Sequence, residues 1–239
     1  MILCIDSGNS RIKWGMHDGR RWIETGALPH TDLAALSELS QRDQPAKVIF
    51  SNVAGDAAAR NIRQTLAAWQ PLFVEARASR QAAGITNQYE NPPQLGVDRW
   101  CALIGARGQT PAPCLVVMAG TATTVDMLDE TGHFLGGLIL PGFDLMRRSL
   151  SRDTAALPLA EGHHQAHPKN TNDAIISGCL EAQAGAIERA FRRIAHLPGA
   201  TCLLSGGAAP WLAPLLSIPH CQIDNLVLEG LARLAYTGE

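Results

Sequence analysis

The feature that most constrains this chain is a strand–turn–strand–turn–strand unit that occurs twice, offset by 112 positions, the distance from Asp6 to Met118. In the first copy Ile2–Asp6 is a short apolar run. Arg11–Met16 then alternates, with Ile12, Trp14 and Met16 on one face, and Arg21–Gly26 follows the Asp18-Gly19 turn signal. In the second copy Leu115–Thr121 opens the unit, Thr123–Leu128 alternates, Thr131-Gly132 turns, and Phe134–Leu140 completes it. Superposed, Gly120 matches Gly8 and Met118 matches Asp6. Meanders are common, but here the special residues repeat along with the strands, which points to internal duplication.

Between and after the copies the pattern is helical. Asp32–Leu39 carries Leu33, Leu36 and Leu39. Asp56 is placed to cap a helix bearing Ile62, Leu66 and Trp69. Lys47–Asn52 reads as a strand, and Gln88–Gln94, with Pro92 and Pro93, as a loop. Asn170-Thr171-Asn172 offers caps to a long helix striped with Ile176, Leu180, Ala184, Ile187, Phe191 and Ile194. Thr201–Leu204 is a strand, and a last helix from Asn225 carries Leu228, Leu231 and Leu234. Interleaved strands and helices make the class α/β. No low-complexity linker parts the halves, so two intimately packed domains are expected, residues 1–113 and 114–239, with a cleft between them.

Composition narrows the function. With 239 residues the chain can bury a sizeable core, and 46% hydrophobic with 18% charged residues is ordinary for a globular protein. A formal charge of −2 leaves no electrostatic footprint for nucleic acid. No apolar run reaches membrane-spanning length, and Met1–Asp6 has no secretory flank, so a cytoplasmic protein is expected. Cys4, Cys101, Cys114, Cys179, Cys202 and Cys221 form no C-x-x-C pair and are expected to be reduced thiols, mostly in the core. His163-His164-x-x-His167 lies in a polar stretch flanked by Gly and Pro and reads as a solvated loop rather than a metal site.

Three glycine turns end strands. Asp6-Ser7-Gly8-Asn9-Ser10 follows the first; Gly8 allows the tight turn, and the backbone N–H groups beside it suit a phosphate. Asp6 is a candidate for a hydrated Mg²⁺, and Asn9, Ser10 and Lys13 add donors. Gly120-Thr121 and Ser205-Gly206-Gly207 occupy later strand ends. There is neither a G-x-x-x-x-G-K-[ST] nor a G-x-G-x-x-G, which removes the P-loop and Rossmann readings. Tyr89–Trp100 places an Asp–Arg pair, Asp98 and Arg99, after a rigid Pro-Pro loop and Gly96. Phosphoryl transfer to an alcohol needs positioning, charge neutralisation and an acceptor for the hydroxyl proton, and Asp98 is the candidate acceptor. An N-cap role for Asp98, opening a helix through Trp100, Leu103 and Ile104, accounts for the residue equally well.

Taken together, Asp6-x-Gly8-Asn9-Ser10, Tyr89-x-Asn91-Pro92, Gly96-x-Asp98-Arg99, Gly120-Thr121-Ala122-x-Thr124 and Gly136-Gly137-x-Ile139-x-Pro141-Gly142 resemble type III pantothenate kinases. Asn170-Thr171, Ser205-Gly206-Gly207 and Asn225-Leu226-x-Leu228-Glu229-Gly230-Leu231 extend the match in the same order over nearly the whole chain. The resemblance implies the acetate and sugar kinase, heat-shock-70 and actin fold, with two ribonuclease-H-like domains and a nucleotide cleft, in a homodimer. It implies transfer of the ATP γ-phosphoryl to the 4′-hydroxyl of pantothenate, the first step of coenzyme A synthesis. By motif, Asp98 would be the base and Asp6 would organise Mg²⁺. Tyr89, Gly96, Val97, Asp98, Arg99 and the partner's Thr171 would hold pantothenate. Asp6, Ser7, Gly8, Asn9, Ser10, Lys13, Gly120, Thr121, Gly206 and Gly207 would face the nucleotide, and Thr123 either ligand. One departure stands out. The family's acid two residues before the second glycine turn is associated with a monovalent cation, K⁺ or ammonium, and here that residue is Met118, a poor ligand for either.

Two competing readings are another small-alcohol or acyl-phosphate-forming kinase on the same fold, and a non-catalytic nucleotide-binding regulator. The Tyr89–Arg99 segment argues against the first, the retention of both Asp6 and Asp98 against the second.

Overall fold

The computed structural model describes residues 1–237. They divide into two compact units, each with its own hydrophobic core. The first comprises Met1–Pro111, Gly132–Phe134 and the segment from Asn225 onward; the second comprises Ala112–Thr131 and Leu135–Asp224. The C-terminal segment, which chain order would leave in the second half, therefore belongs with the first.

In the first unit the meander is β1 (Ile2–Ser7), β2 (Ile12–His17) and β3 (Trp22–Leu28). It is followed by α1 (Ala34–Leu39), β4 (Lys47–Asn52), α2 (Asp56–Thr65), β5 (Phe73–Glu75), β6 (Gln81–Ala82), β7 (Ile85–Asn87) and α3 (Val97–Gln109). The sheet order is β3-β2-β1-β4-β5, with β1 antiparallel to β2 and parallel to β4. Alternation in β2 sends Ile12, Trp14 and Met16 into a core with Leu3, Ile5, Phe50 and Ile62. Every residue of β1 is buried, as in a central strand covered on both faces.

Three local expectations are corrected. The N-cap of α2 is Gly55, at φ 87°, and Asp56 is a first-turn residue, where a carboxylate still favours the positive end of the helix dipole. Trp69 lies past α2 in a 3₁₀ segment, Ala67–Leu72, yet packs in the same core. Pro92–Gln94 is not irregular but a single 3₁₀ turn; proline opens it because an N–H there has no partner to lose.

The second unit contains β8 (Cys114–Ala119), β9 (Ala122–Leu128), β10 (His133–Pro141), α4 (Phe143–Asp153), α5 (Thr171–Phe191), β11 (Thr201–Ser205), α6 (Ala209–Leu212) and β12 (His220–Gln222). The first two residues of β10 cluster with the first unit, where they pair with β7. Its own strands lie in the order β10-β9-β8-β11-β12, within a seven-stranded sheet that β7 and β6 extend beyond β10, with β8 antiparallel to β9 and parallel to β11. This repeats the topology of the first sheet, and β8 spans the positions of β1 shifted by the offset read in the sequence. The special positions correspond across strands as well. Asp6 pairs with Lys13 and Ser51, and Met118 pairs with Thr124 and Ser205.

The chain ends in α7 (Leu226–Thr237), which packs on α3. Two glycines set this crossing: a Cβ at Gly230 would collide with the Cys101 carbonyl, and one at Gly105 with that of Leu226. The two backbones therefore touch, and α3 is buried from Arg99 to Ala106. Among the described residues no helix is long and apolar enough to cross a membrane.

Candidate active site

Asp6 sits at the end of β1, 8% exposed. Burial and the nearby charge of Asp98 push its carboxyl up to about 7, partly offset by the charge of Lys13 on β2 and by the Ser51 hydroxyl. That hydroxyl lies near the carboxylate without hydrogen-bond geometry. Asp6 Oδ1, Ser7 Oγ and Ser51 Oγ are all buried without a hydrogen-bond partner. Two like-charged carboxylates beside orphan oxygens form a place that a cation would stabilise. The turn that follows is closed by the Gly8 N–H donating to the Arg11 carbonyl at 3.1 Å, with Asn9 and Ser10 exposed. His30 Nε2 donates to the Gly8 carbonyl at 2.7 Å, and His30, Asn9, Ala54 and Asn61 line a cavity of about 340 Å³.

Asp98 comes to Asp6 from a different element. The N-cap of α3 is Gly96, Val97 is its first residue, and Asp98 stands in its first turn, so the capping role for Asp98 is not the one observed. Its Oδ1 accepts the Arg99 N–H at 2.8 Å. Arg99 is 5% exposed, donates from Nη1 to the Tyr89 hydroxyl at 3.0 Å, and lies 5.7 Å from the ring centroids of Tyr89 and Phe134. Those two rings are 5.2 Å apart. A carboxylate, a guanidinium and a phenol are thus grouped. Burial, and after it the charges of Asp6 and Asp98, hold the thiol of Cys101, one turn along α3, protonated.

The remaining candidates lie in the second unit. Gly120-Thr121 joins β8 to β9, the Gly120 N–H donating to the Ala122 carbonyl at 3.1 Å. The Gly142 N–H donates to the Thr121 carbonyl at 2.9 Å, and the Ala208 N–H to the Ala119 carbonyl at 3.0 Å. Gly206, at φ 105°, lies so close to the Ala119 carbonyl that no side chain fits, while Gly207 beside it has open space. The turns after β8 and β11 are therefore one backbone cluster. Thr171 stands apart as the exposed first residue of α5, next to the cap Asn170, whose side chain accepts the Asp173 N–H at 2.9 Å. Thr123 is fully buried and donates to Gln183 at 2.5 Å.

The stretch from Gly162 lies along α5, with the His163 N–H donating to Asp173 at 2.8 Å and His164 pairing with Glu181 at 2.7 Å. Among the described residues no three or more His, Cys, Asp or Glu side chains gather as a metal cluster. All six cysteines are free, five of them buried, and burial pushes the Cys202 thiol up to about 12. His30, Ser51, Arg80, Asn87 and Phe134 also border these groups, through backbone carbonyls, strand register or ring contacts that no motif spacing announces.

A profile of the family described as type III pantothenate kinase matches residues 2–193. Two similar proteins carrying that name come from Dechloromonas aromatica, 54% identical over 98% of this chain and 99% of theirs, and Aromatoleum aromaticum, 57% identical over 98% of each. Among solved structures, the chain resembles a Campylobacter jejuni protein named for the Baf family of transcriptional activators, with TM-score 0.67, 21% identity and coverage of 99% and 98%. It also resembles a Sinorhizobium meliloti protein named as a 2-dehydro-3-deoxygalactonokinase, with TM-score 0.61, 14% identity and 99% of both chains. At such identities these structures speak to the fold, the actin-like and sugar-kinase architecture of two ribonuclease-H-like domains.

Proposed function

The chain belongs to the type III pantothenate kinase family, and on that premise we propose that Asp98 is the base and Asp6 the divalent-cation residue of its reaction. The enzyme phosphorylates pantothenate with ATP, the opening step of coenzyme A biosynthesis. In that step an O–P bond forms at the 4′-hydroxyl, the bond between the γ-phosphorus and the β,γ-bridging oxygen breaks, ADP leaves, and the hydroxyl proton must be taken up. The observation that carries the assignment is the convergence of Asp6 and Asp98, from β1 and α3, with Arg99 and Tyr89 alongside. Asp98 takes the proton, Arg99 and Tyr89 hold the acceptor, and Gly96 and Val97 shape its seat. Asp6, with its unpartnered oxygen, fits a hydrated Mg²⁺, which when bound neutralises phosphate charge. Ser7, Gly8, Asn9, Ser10 and Lys13, and the turns at Gly120-Thr121 and Gly206-Gly207, serve the nucleotide.

The enzyme acts in the cytoplasm as a homodimer, with Thr171 reaching the neighbour's pantothenate. Exposed Leu135, Leu138 and Ile139 on β10 support a partnered surface. Met118 leaves a monovalent cation without a carboxylate, so activity depends little on K⁺ or ammonium; a titration with KCl and NH₄Cl at constant ionic strength measures this, and strong activation at low concentration contradicts it. The assignment itself is tested by coupled ADP release with and without pantothenate. Wild type releases ADP only with pantothenate, and Asp98→Asn, nearly isosteric but unable to accept the proton, loses about 10²–10⁴ of turnover. Turnover without pantothenate, or a fully active variant, sinks it.

A further inference from the structure

The Tyr89–Pro92 stretch is held from behind by two side chains outside the family motifs. Asn87 ends β7, is fully buried, and uses both ends of its amide: Oδ1 accepts the Tyr89 N–H at 3.0 Å, and Nδ2 donates to the Pro92 carbonyl at 3.1 Å. Arg80 closes the other side, with Nη1 donating to the carbonyls of Asn87 at 2.8 Å and of Tyr89 at 3.1 Å. The Asn87 N–H donates to the Arg80 carbonyl at 2.9 Å, and the Gln88 N–H to that of Phe134 at 3.2 Å. Both backbone polar groups of Tyr89 are thereby satisfied by side chains rather than by a sheet ladder. The Tyr89 ring then packs on Phe134 and its hydroxyl accepts from Arg99.

We propose that Asn87 and Arg80 are positioning residues for pantothenate: they hold the Tyr89 backbone so that its ring and Arg99 are fixed before the substrate arrives. The inference rests on the reading above that Tyr89 and Arg99 hold the acceptor. Physically, a loop lacking strand partners samples many conformations, and each one frozen on binding weakens affinity. A small displacement of an orienting group is amplified in the reaction, because the reacting atoms must meet within a narrow range. Asn suits position 87 because a fully buried amide there both accepts and donates; Asp or Leu would leave at least one backbone group unpaired.

The test is steady-state kinetics of the full-length enzyme with each substrate varied in turn. Arg80→Ala, at an exposed position, keeps its melting temperature, while KM for pantothenate rises about tenfold, the loss of roughly one charge-assisted hydrogen bond, and KM for ATP stays put. Arg80→Lys recovers part of the loss. Asn87→Ala gives a larger rise, and if that variant fails to fold, Arg80→Ala decides alone. Tyr89→Phe, which removes the hydroxyl that accepts from Arg99, raises the same KM, and combined with Arg80→Ala it adds less than the separate effects predict. Equal rises in both KM values, full additivity, or an unchanged pantothenate KM in Arg80→Ala would overturn the role given to Arg80 and Asn87. An unchanged KM in Tyr89→Phe would instead remove the acceptor-site reading, and this inference with it.

Discussion

Asp6 carries the clearest consequence at the residue scale. Its carboxyl titrates near about 3.9 in an unfolded chain but is pushed up to about 7 in the fold by burial and by Asp98. The folded state therefore binds the proton more tightly. Stability from this group is complete below pH 4 and is lost as pH rises from there through 7. In metal-free buffer the melting temperature should fall between pH 5 and pH 8, and Asp6→Asn should flatten most of that fall. At pH 8 the variant should be the more stable protein, by on the order of 2 kcal/mol, though inactive. Added Mg²⁺ should raise the melting temperature of the wild type at pH 8 and leave that of Asp6→Asn unmoved. A level wild-type profile, or one that the variant copies, would remove the electrostatic account of Asp6.

Among the elements, α3 and α7 matter most, because α3 carries the Asp98–Arg99 pair in its first turn and α7 sets where α3 lies. Gly230→Ala drives a methyl group into the Cys101 carbonyl, and neither backbone can yield freely. Overpacking of this kind costs about 1–3 kcal/mol, so the urea midpoint should drop at unchanged slope, and activity should fall further than stability explains. Gly178→Ala in α5 is the control: a Cβ there meets nothing within 4 Å, and the helix should gain about 0.5–1 kcal/mol. A destabilised Gly178→Ala beside an unchanged Gly230→Ala would refute this account of the crossing. Much of this level was legible in the sequence. Both meanders, the Lys47–Asn52 strand, the cap at Asn170 and the stripe of α5 as far as Phe191 follow from periodicity and capping, while Ile194 lies past the end of that helix. α4, β5, β7 and β12 escaped, because short or mostly exposed elements carry weak periodic signals.

For the whole molecule, the proposed sharing of Thr171 between subunits makes a prediction that no single chain can imitate. Asp98→Asn and Thr171→Ala chains are each impaired, yet refolded together they should regain a measurable fraction of activity. In the mixed dimer one site keeps both native residues while the other collects both lesions. Sedimentation should report a dimer at assay concentrations. An active monomer, or a mixture no better than its components, would rule out the shared site.

The sequence by itself determined the duplicated architecture and the identity of the chemical groups. Strand periodicity, turn glycines and the order of motifs are local properties, set by backbone sterics and side-chain type. It could not decide which duties Asp98 has, since a carboxylate at a helix start serves a dipole or a reaction equally well. Only the tertiary structure placed Asp98 where its charge raises the carboxyl of Asp6, and only there do Arg80 and Asn87 meet the Tyr89 backbone. It also returned α7 to the first unit, through a glycine crossing between segments far apart in the chain. Such facts depend on through-space electrostatics and close backbone contact, and neither is written in the spacing of residues along the chain.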